Sequence, residues 1–221
     1  MRAAIFIDGG YVLAQFKYNK ITPDFKKIAD YLLAPLRRNT SLDLLRCYFY
    51  YCAPWVSQPP TEDELKRMDV HNQFVADIES IQRWAVRLGK LEKRWDGSKE
   101  YYEQKRVDVL LSCDMVRHSA ARDIQHAILV AGDSDFIPAI LAAKDSGVTL
   151  TLWCGQANTV HKDLIRHADE VHTLDWKTFP QIRSGGESPK GEREGNGRSR
   201  RRRSSKKKPR QDAPPAPVSD S

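Results

Sequence analysis

Val130-Ala131-Gly132-Asp133-Ser134-Asp135-Phe136 ends an apolar run that starts at His126 and opens a helical pattern carrying Ile137, Ile140, Leu141 and Lys144. Two carboxylates, one residue apart, therefore stand where a strand passes into a helix. Open α/β sheets place their sites at such carboxyl ends of parallel strands. A second acidic strand end lies at Ile5-Phe6-Ile7-Asp8-Gly9-Gly10. A hard divalent cation such as Mg²⁺ takes oxygen ligands of this kind, so two such ends in one sheet predict a metal site.

Around these ends the chain alternates between strand and helix patterns. Ala3 to Ile7 predicts a strand. Thr22-Pro23-Asp24 predicts a helix start with proline in its first turn, ahead of Phe25, Ile28, Ala29, Leu32, Leu33 and Leu36 at helical spacing. Leu42 to Tyr51 is β-rich. Thr61 and Glu64 form a capping-box pattern, and Phe74, Ile78, Ile81 and Ala85 predict a long helix closed by Gly89. Leu91 to Trp95, Asp96-Gly97 and Lys99 to Gln104 predict a β-hairpin. A helix over 107–116, a strand over 126–131, a helix over 135–146, a strand over 148–154, a helix over 158–168 and a last strand over 171–174 complete the pattern. Such alternation implies an α/β fold with a mainly parallel sheet and helices on both faces.

The 221 residues allow one domain of ordinary size with an extension. No apolar run reaches the roughly 18 residues of a membrane span, and the start of the chain has no signal-peptide layout. The four cysteines form no CxxC pair. Cys47, Cys113 and Cys154 lie in apolar segments, which reads as reduced core thiols of a cytoplasmic protein. The net charge of +7 is unevenly placed: residues 1–182 hold 24 basic and 24 acidic residues, residues 183–221 hold 12 and 5. The domain is therefore expected over 1–182. The tail over 183–221, almost without apolar residues, is expected to be a disordered basic low-complexity segment.

A third acidic element is Lys105-Arg106-Val107-Asp108-Val109-Leu110-Leu111-Ser112-Cys113-Asp114. As a helix it reads as buried on most sides, with Asp108 and Asp114 interrupting the apolar surface. Buried carboxylates need a metal, a cation or a hydrogen-bond partner. Six residues put the two about 120° apart around the axis, too far for one ion. Asp108, near the strand ends, is the first choice of ligand, and Asp114 is an outer partner or the edge of a wider site.

Taken together, Phe-Ile-Asp-Gly-Gly at 6–10, Lys-Arg-Val-Asp-Val-Leu-Leu at 105–111 and Gly-Asp-Ser-Asp-Phe-Ile-Pro at 132–138 resemble the three motifs of NYN domains, of the LabA-like kind, within the PIN-like, FEN-related nuclease superfamily. The resemblance spans roughly residues 2–176. It implies a PIN-like three-layer α/β sandwich, one or two Mg²⁺ or Mn²⁺ ions, and metal-dependent cleavage of RNA. Carried over by position, it implies Asp8, Asp108, Asp133 and Asp135 as catalytic and metal-holding residues, with Asp114 at the edge of the metal set. Two positions depart from the pattern: Tyr11 stands where many members have Asn, and Arg106 replaces the glycine of Lys-Gly-Val-Asp.

Carboxylate-held Mg²⁺ suits phosphodiester hydrolysis, because it activates water and clamps the phosphate. Lys105 and Arg106 are candidate phosphate contacts. In the tail, Arg200, Arg201, Arg202, Arg203, Lys206, Lys207 and Lys208 would bind phosphate backbones without sequence choice. Single-stranded RNA is the expected partner, with no membrane, and a homo-oligomer is compatible with the sequence. Two other readings stand beside the ribonuclease. One is a non-catalytic module that holds RNA or protein with the same fold. The other is a phosphatase-like enzyme, against which Asp8-Gly9-Gly10 lacks an Asp-x-Asp pair.

Overall fold

Alternation of period two fixes the sheet. The computed structural model describes residues 1–38 and 41–182. The strands are β1 (Arg2–Asp8), β2 (Asp43–Cys52), β3 (Trp84–Trp95), β4 (Glu100–Lys105), β5 (His126–Val130), β6 (Thr149–Cys154) and β7 (Glu170–Thr173). They form one sheet in the order β4-β3-β2-β1-β5-β6-β7. Every neighbouring pair is parallel except β3 with β4.

Successive side chains point to opposite faces of a strand, and both faces of this sheet are covered. On one face Ala4 and Phe6 of β1, Tyr48 and Tyr50 of β2 and Leu129 of β5 meet α4 (Val107–Ala120), α5 (Ile137–Asp145) and α6 (Lys162–His167). On the other, Ala3, Ile5 and Ile7, with Phe49 and Ile128, meet α1 (Gly9–Asn19), α2 (Phe25–Arg37) and α3 (Glu62–Glu79). The central strands are therefore apolar on both sides, as in parallel sheets buried between helix layers. The α/β three-layer architecture follows.

Chain direction places the site. From β1 the chain builds outward through β2 to β3, and from β5 it builds the other way through β6 to β7. The order reverses between β1 and β5, which pair directly, Ile7 opposite Val130. Loops leaving the carboxyl ends of two such strands diverge and open a crevice.

Several expectations are corrected. The helix ending in Gly89 stops at Glu79, and Trp84-Ala85-Val86 enters β3 instead. Trp84 and Val86 are buried with Ala85 between them, an alternation that pairing with β2 rewards. Gly89 closes no helix but lies in that strand, opposite Cys52, where a Cβ would meet the Lys105 carbonyl at 2.6 Å. Pro23 precedes α2 and bridges to Gln181, and Asp24 caps the helix without a side-chain bond. α1 was not foreseen. α4 is buried along one stripe only: Val109 and Cys113 are exposed, so Cys113 is no core thiol, whereas Cys47, Cys52 and Cys154 are buried. The helix expected over 135–146 begins as a short 3-10 turn at Ser134–Phe136, whereas the one expected over 158–168 is a separate 3-10 turn, Ala157–Thr159, followed by extended Val160 and then α6. The Thr61–Glu64 capping box and the hairpin turn at Asp96-Gly97 form as expected. The basic tail expected over 183–221 lies outside the described residues.

Candidate active site

Each acidic residue of the crevice reaches it for a local reason. Asp8 ends β1 and caps α1: its Oδ1 accepts the Tyr11 N–H at 3.1 Å. Asp133 follows β5 and caps the turn at Ser134, its Oδ1 accepting the Asp135 N–H at 3.1 Å. Asp108 stands in the first turn of α4, where the helix dipole favours an anion. Capping and site-building are thus the same act for Asp8 and Asp133, because the cap directs each carboxylate to the strand end.

Asp8, Asp108 and Asp133 line one cleft of about 710 Å³. Burial, and then the Asp108 and Asp133 charges, lift the Asp8 carboxyl to about 6 against the hydrogen bond from Tyr11. The Asp108 carboxyl is also raised, by partial desolvation in the cleft and by the charges of Asp133 and Asp135. Asp135 itself is exposed beside the cleft, close enough for its charge to act on Asp108. Among the described residues that line the cleft there is no Lys or Arg.

Other expected residues lie elsewhere. Asp114 does not line the cleft: its Oδ2 accepts from the Tyr50 hydroxyl at 3.0 Å and pairs with Arg87 Nε at 3.2 Å, while Oδ1 meets Arg117 at 3.3 Å. The Lys105 ammonium pairs with Glu103 at 2.5 Å. Arg106 caps α4 in the left-handed region, φ 75°. The neighbouring Gln104 lines the cleft in their place. The basic run from Arg200 to Lys208 lies outside the described residues.

The far wall is Tyr11 of α1, singled out in the sequence at the place of an Asn, with Asn158, Thr159 and His161 from the segment after β6, which the sequence reading missed. Gly155 N–H donates to the Tyr11 hydroxyl at 2.7 Å. That hydroxyl donates to Thr159 Oγ1 at 3.2 Å, since Thr159 gives its own proton to the Gln156 carbonyl. His161 N–H donates to the Gly132 carbonyl, and its Nδ1 accepts from Asp163 N–H at 3.3 Å. Gly132 is required between them: a Cβ would lie 2.4 Å from both the Thr159 carbonyl and the Tyr11 ring. The signal for this wall was position, since it follows the carboxyl end of β6.

The donor set consists of carboxylates and suits a hard cation. Among the described residues no three His, Cys, Asp or Glu side chains converge closely enough to enclose an ion. Mg²⁺ usually takes one or two carboxylates and keeps several waters. Asp8, Asp108 and Asp133 around an open cleft fit that mode of holding.

A model of the NYN domain matches residues 2–175. That match is to the domain as a whole and does not single out the LabA-like kind. No curated protein matches the chain. A crystal structure of a Vibrio parahaemolyticus protein of unknown function shares the fold at 17% identity and a TM-score of 0.56, covering 80% of this chain and 95% of that one. Acinetobacter baumannii MurG, at 14% identity and a TM-score of 0.37 over 82% of this chain and 43% of that one, superposes too poorly to bear on the fold.

Proposed function

The chain belongs to the NYN domain family, of the PIN-like nuclease superfamily, and from that premise we propose that it is a metal-dependent ribonuclease acting in the cleft of Asp8, Asp108 and Asp133. One observation carries the reading: three carboxylates share a cleft whose described walls hold no Lys or Arg. Burial first, and then the charges of neighbouring aspartates, raise the Asp8 and Asp108 carboxyls, and the same negative field disfavours a bare phosphate. A phosphodiester becomes a ligand of such a site once divalent cations neutralise it.

Asp8 and Asp133, fixed by their cap hydrogen bonds, and Asp108 at the start of α4 would hold the ion. Bound Mg²⁺ or Mn²⁺ would lower the pKa of a coordinated water and clamp the phosphate oxygens. Asp135 adds negative charge at the rim. Gln104 and Asn158 bring carboxamides to the cleft, which can donate to phosphate or sugar oxygens. Tyr11, bound to Gly155 and Thr159, keeps the far wall in place.

Incubation of wild type, Asp8→Asn and Asp133→Asn with end-labelled single-stranded RNA, in Mn²⁺ or EDTA, tests the proposal. Cleavage by wild type in Mn²⁺, absent in EDTA and in both variants, supports it. A variant that cuts at the wild-type rate sinks the assignment. Tyr11 favours the second reading, a non-catalytic RNA- or protein-holding module, because its hydroxyl is spent on the fold where many relatives place an Asn. RNA retained with no metal-dependent cutting by wild type would support that reading.

A further inference from the structure

β3 is longer than its neighbour. Its pairing with β2 ends at Cys52 opposite Gly89, and Lys90–Trp95 continue against β4. The hairpin therefore stands out beyond β2 as a two-stranded arm. Three large rings on it remain in solvent: Trp95 at 64% and Tyr102 at 52% on one face, and Tyr101 at 41% on the other.

Residues directly opposed in an antiparallel pair share a face. The register sets Leu91 against Gln104, Lys93 against Tyr102 and Trp95 against Glu100. One face of the arm thus carries Leu91, Gln104, Tyr102, Lys93, Trp95 and Glu100, with Lys93 paired to Glu100 at 2.6 Å, and its Gln104 end lies in the acidic cleft. Trp55, from the loop after β2, joins that face with its ring 6.0 Å from Tyr102 and with Lys93 Nζ 5.0 Å above it. Glu92 and Glu103, on the opposite face, are paired with Lys90, Arg94 and Lys105.

We propose that this face is a stacking track for unpaired nucleotides, along which single-stranded RNA enters the acidic cleft. The inference rests on the reading of that cleft as an RNA-cleaving site. Every base has a π-face, so aromatic side chains hold single strands without sequence choice. Tyr102 and Trp95 are diagonal neighbours on this face, a backbone spacing of roughly 7–8 Å that long aromatic side chains can span. Bases of a duplex are stacked inside it and cannot reach such rings, so the track selects unpaired strands. Continuity through Gln104 favours RNA over a protein partner as the occupant.

The test uses the full chain in EDTA, where binding is read without cleavage. Wild type, Trp95→Ala, Tyr102→Ala and the corresponding Phe variants are titrated with labelled oligouridine and with a duplex RNA of the same length. Salt is raised to suppress phosphate contacts, and circular dichroism checks each fold. Each Ala variant is expected to lose roughly 5- to 100-fold in affinity for the single strand. The Phe variants should keep most of it, and duplex binding should not change. Equal single-strand affinity across all variants overturns the proposal and assigns the exposed rings to a protein partner. The two readings fail separately. Ring-dependent binding by a wild type that never cuts leaves the track and removes the nuclease, whereas cutting with ring-independent binding does the reverse.

Discussion

The Tyr11 hydroxyl accepts the Gly155 backbone N–H at 2.7 Å, joining residues 144 apart in sequence. This bond ties the first turn of α1 to the end of β6 and so holds the far wall of the cleft. Tyr11→Phe keeps the ring over Gly132 but leaves that half-buried N–H without its partner. A loss of about 1–3 kcal/mol is expected, a fall of several degrees in Tm for a domain of this size. Scanning calorimetry checks it, and an unchanged Tm would mean the bond does not hold the wall.

Asp8 gives a pH dependence with a definite sign. Its folded carboxyl lies at about 6, above the roughly 3.9 of a free aspartate. A raised folded pKa means the contribution is fully present below about pH 4 and is lost as pH rises through about 6. Asp8→Asn removes the charge and keeps an acceptor for the Tyr11 N–H. In EDTA it is expected to raise Tm at about pH 8 and to match wild type near pH 4. A lower Tm for the variant at the higher pH would contradict this.

Asp114 is expected to act on stability alone. Its carboxylate joins Tyr50, Arg87 and Arg117, tying β2 and β3 to α4. Asp114→Ala strips the partners of Tyr50 and of two arginines that are themselves partly exposed, which moderates the loss to about 1–3 kcal/mol. Urea denaturation reads that loss, and Mn²⁺ affinity should stay at the wild-type value. Weakened Mn²⁺ binding in a folded Asp114→Ala chain would return this residue to the metal set.

Gly132→Ala tests the closeness of the two walls. The added methyl overlaps the Thr159 carbonyl and the Tyr11 ring, each 2.4 Å away. Overpacking of this kind costs about 1–3 kcal/mol, and here the strain falls on the backbone next to Asp133. Both Tm and nuclease activity are expected to fall; an unperturbed Tm would mean that the wall yields freely.

Much of the fold was legible because its strongest signals are local. The short apolar runs at Ala3–Ile7 and His126–Val130, each bounded by a turn signal, read as buried strands, and Thr61 with Glu64 marks a helix start by its own hydrogen bonds. α1 was hidden by Gly9-Gly10, which reads as a turn, and by the lack of a sharp apolar stripe. Trp84-Ala85-Val86 was misassigned because Ile78, Ile81 and Ala85 continue a helical spacing across the chain reversal at Arg83, φ 64°. Asp114 and Asp135 fall outside the cleft; within it, Asp8, Asp108 and Asp133 were readable because each stands at the end or the start of a recognisable element. Gln104 and His161 were not, since only the folded sheet brings the base of the hairpin and the segment after β6 to the same cleft.

The most direct measurement is calorimetric titration of Mn²⁺ into wild type and into Asp8→Asn, Asp108→Asn and Asp133→Asn singly. If the three carboxylates form one cation site, each variant should lose roughly tenfold or more in affinity, since even residues outside a metal's own ligands cost 10–100-fold. Mn²⁺ binding that is the same in all four proteins would contradict the shared site and the nuclease built on it.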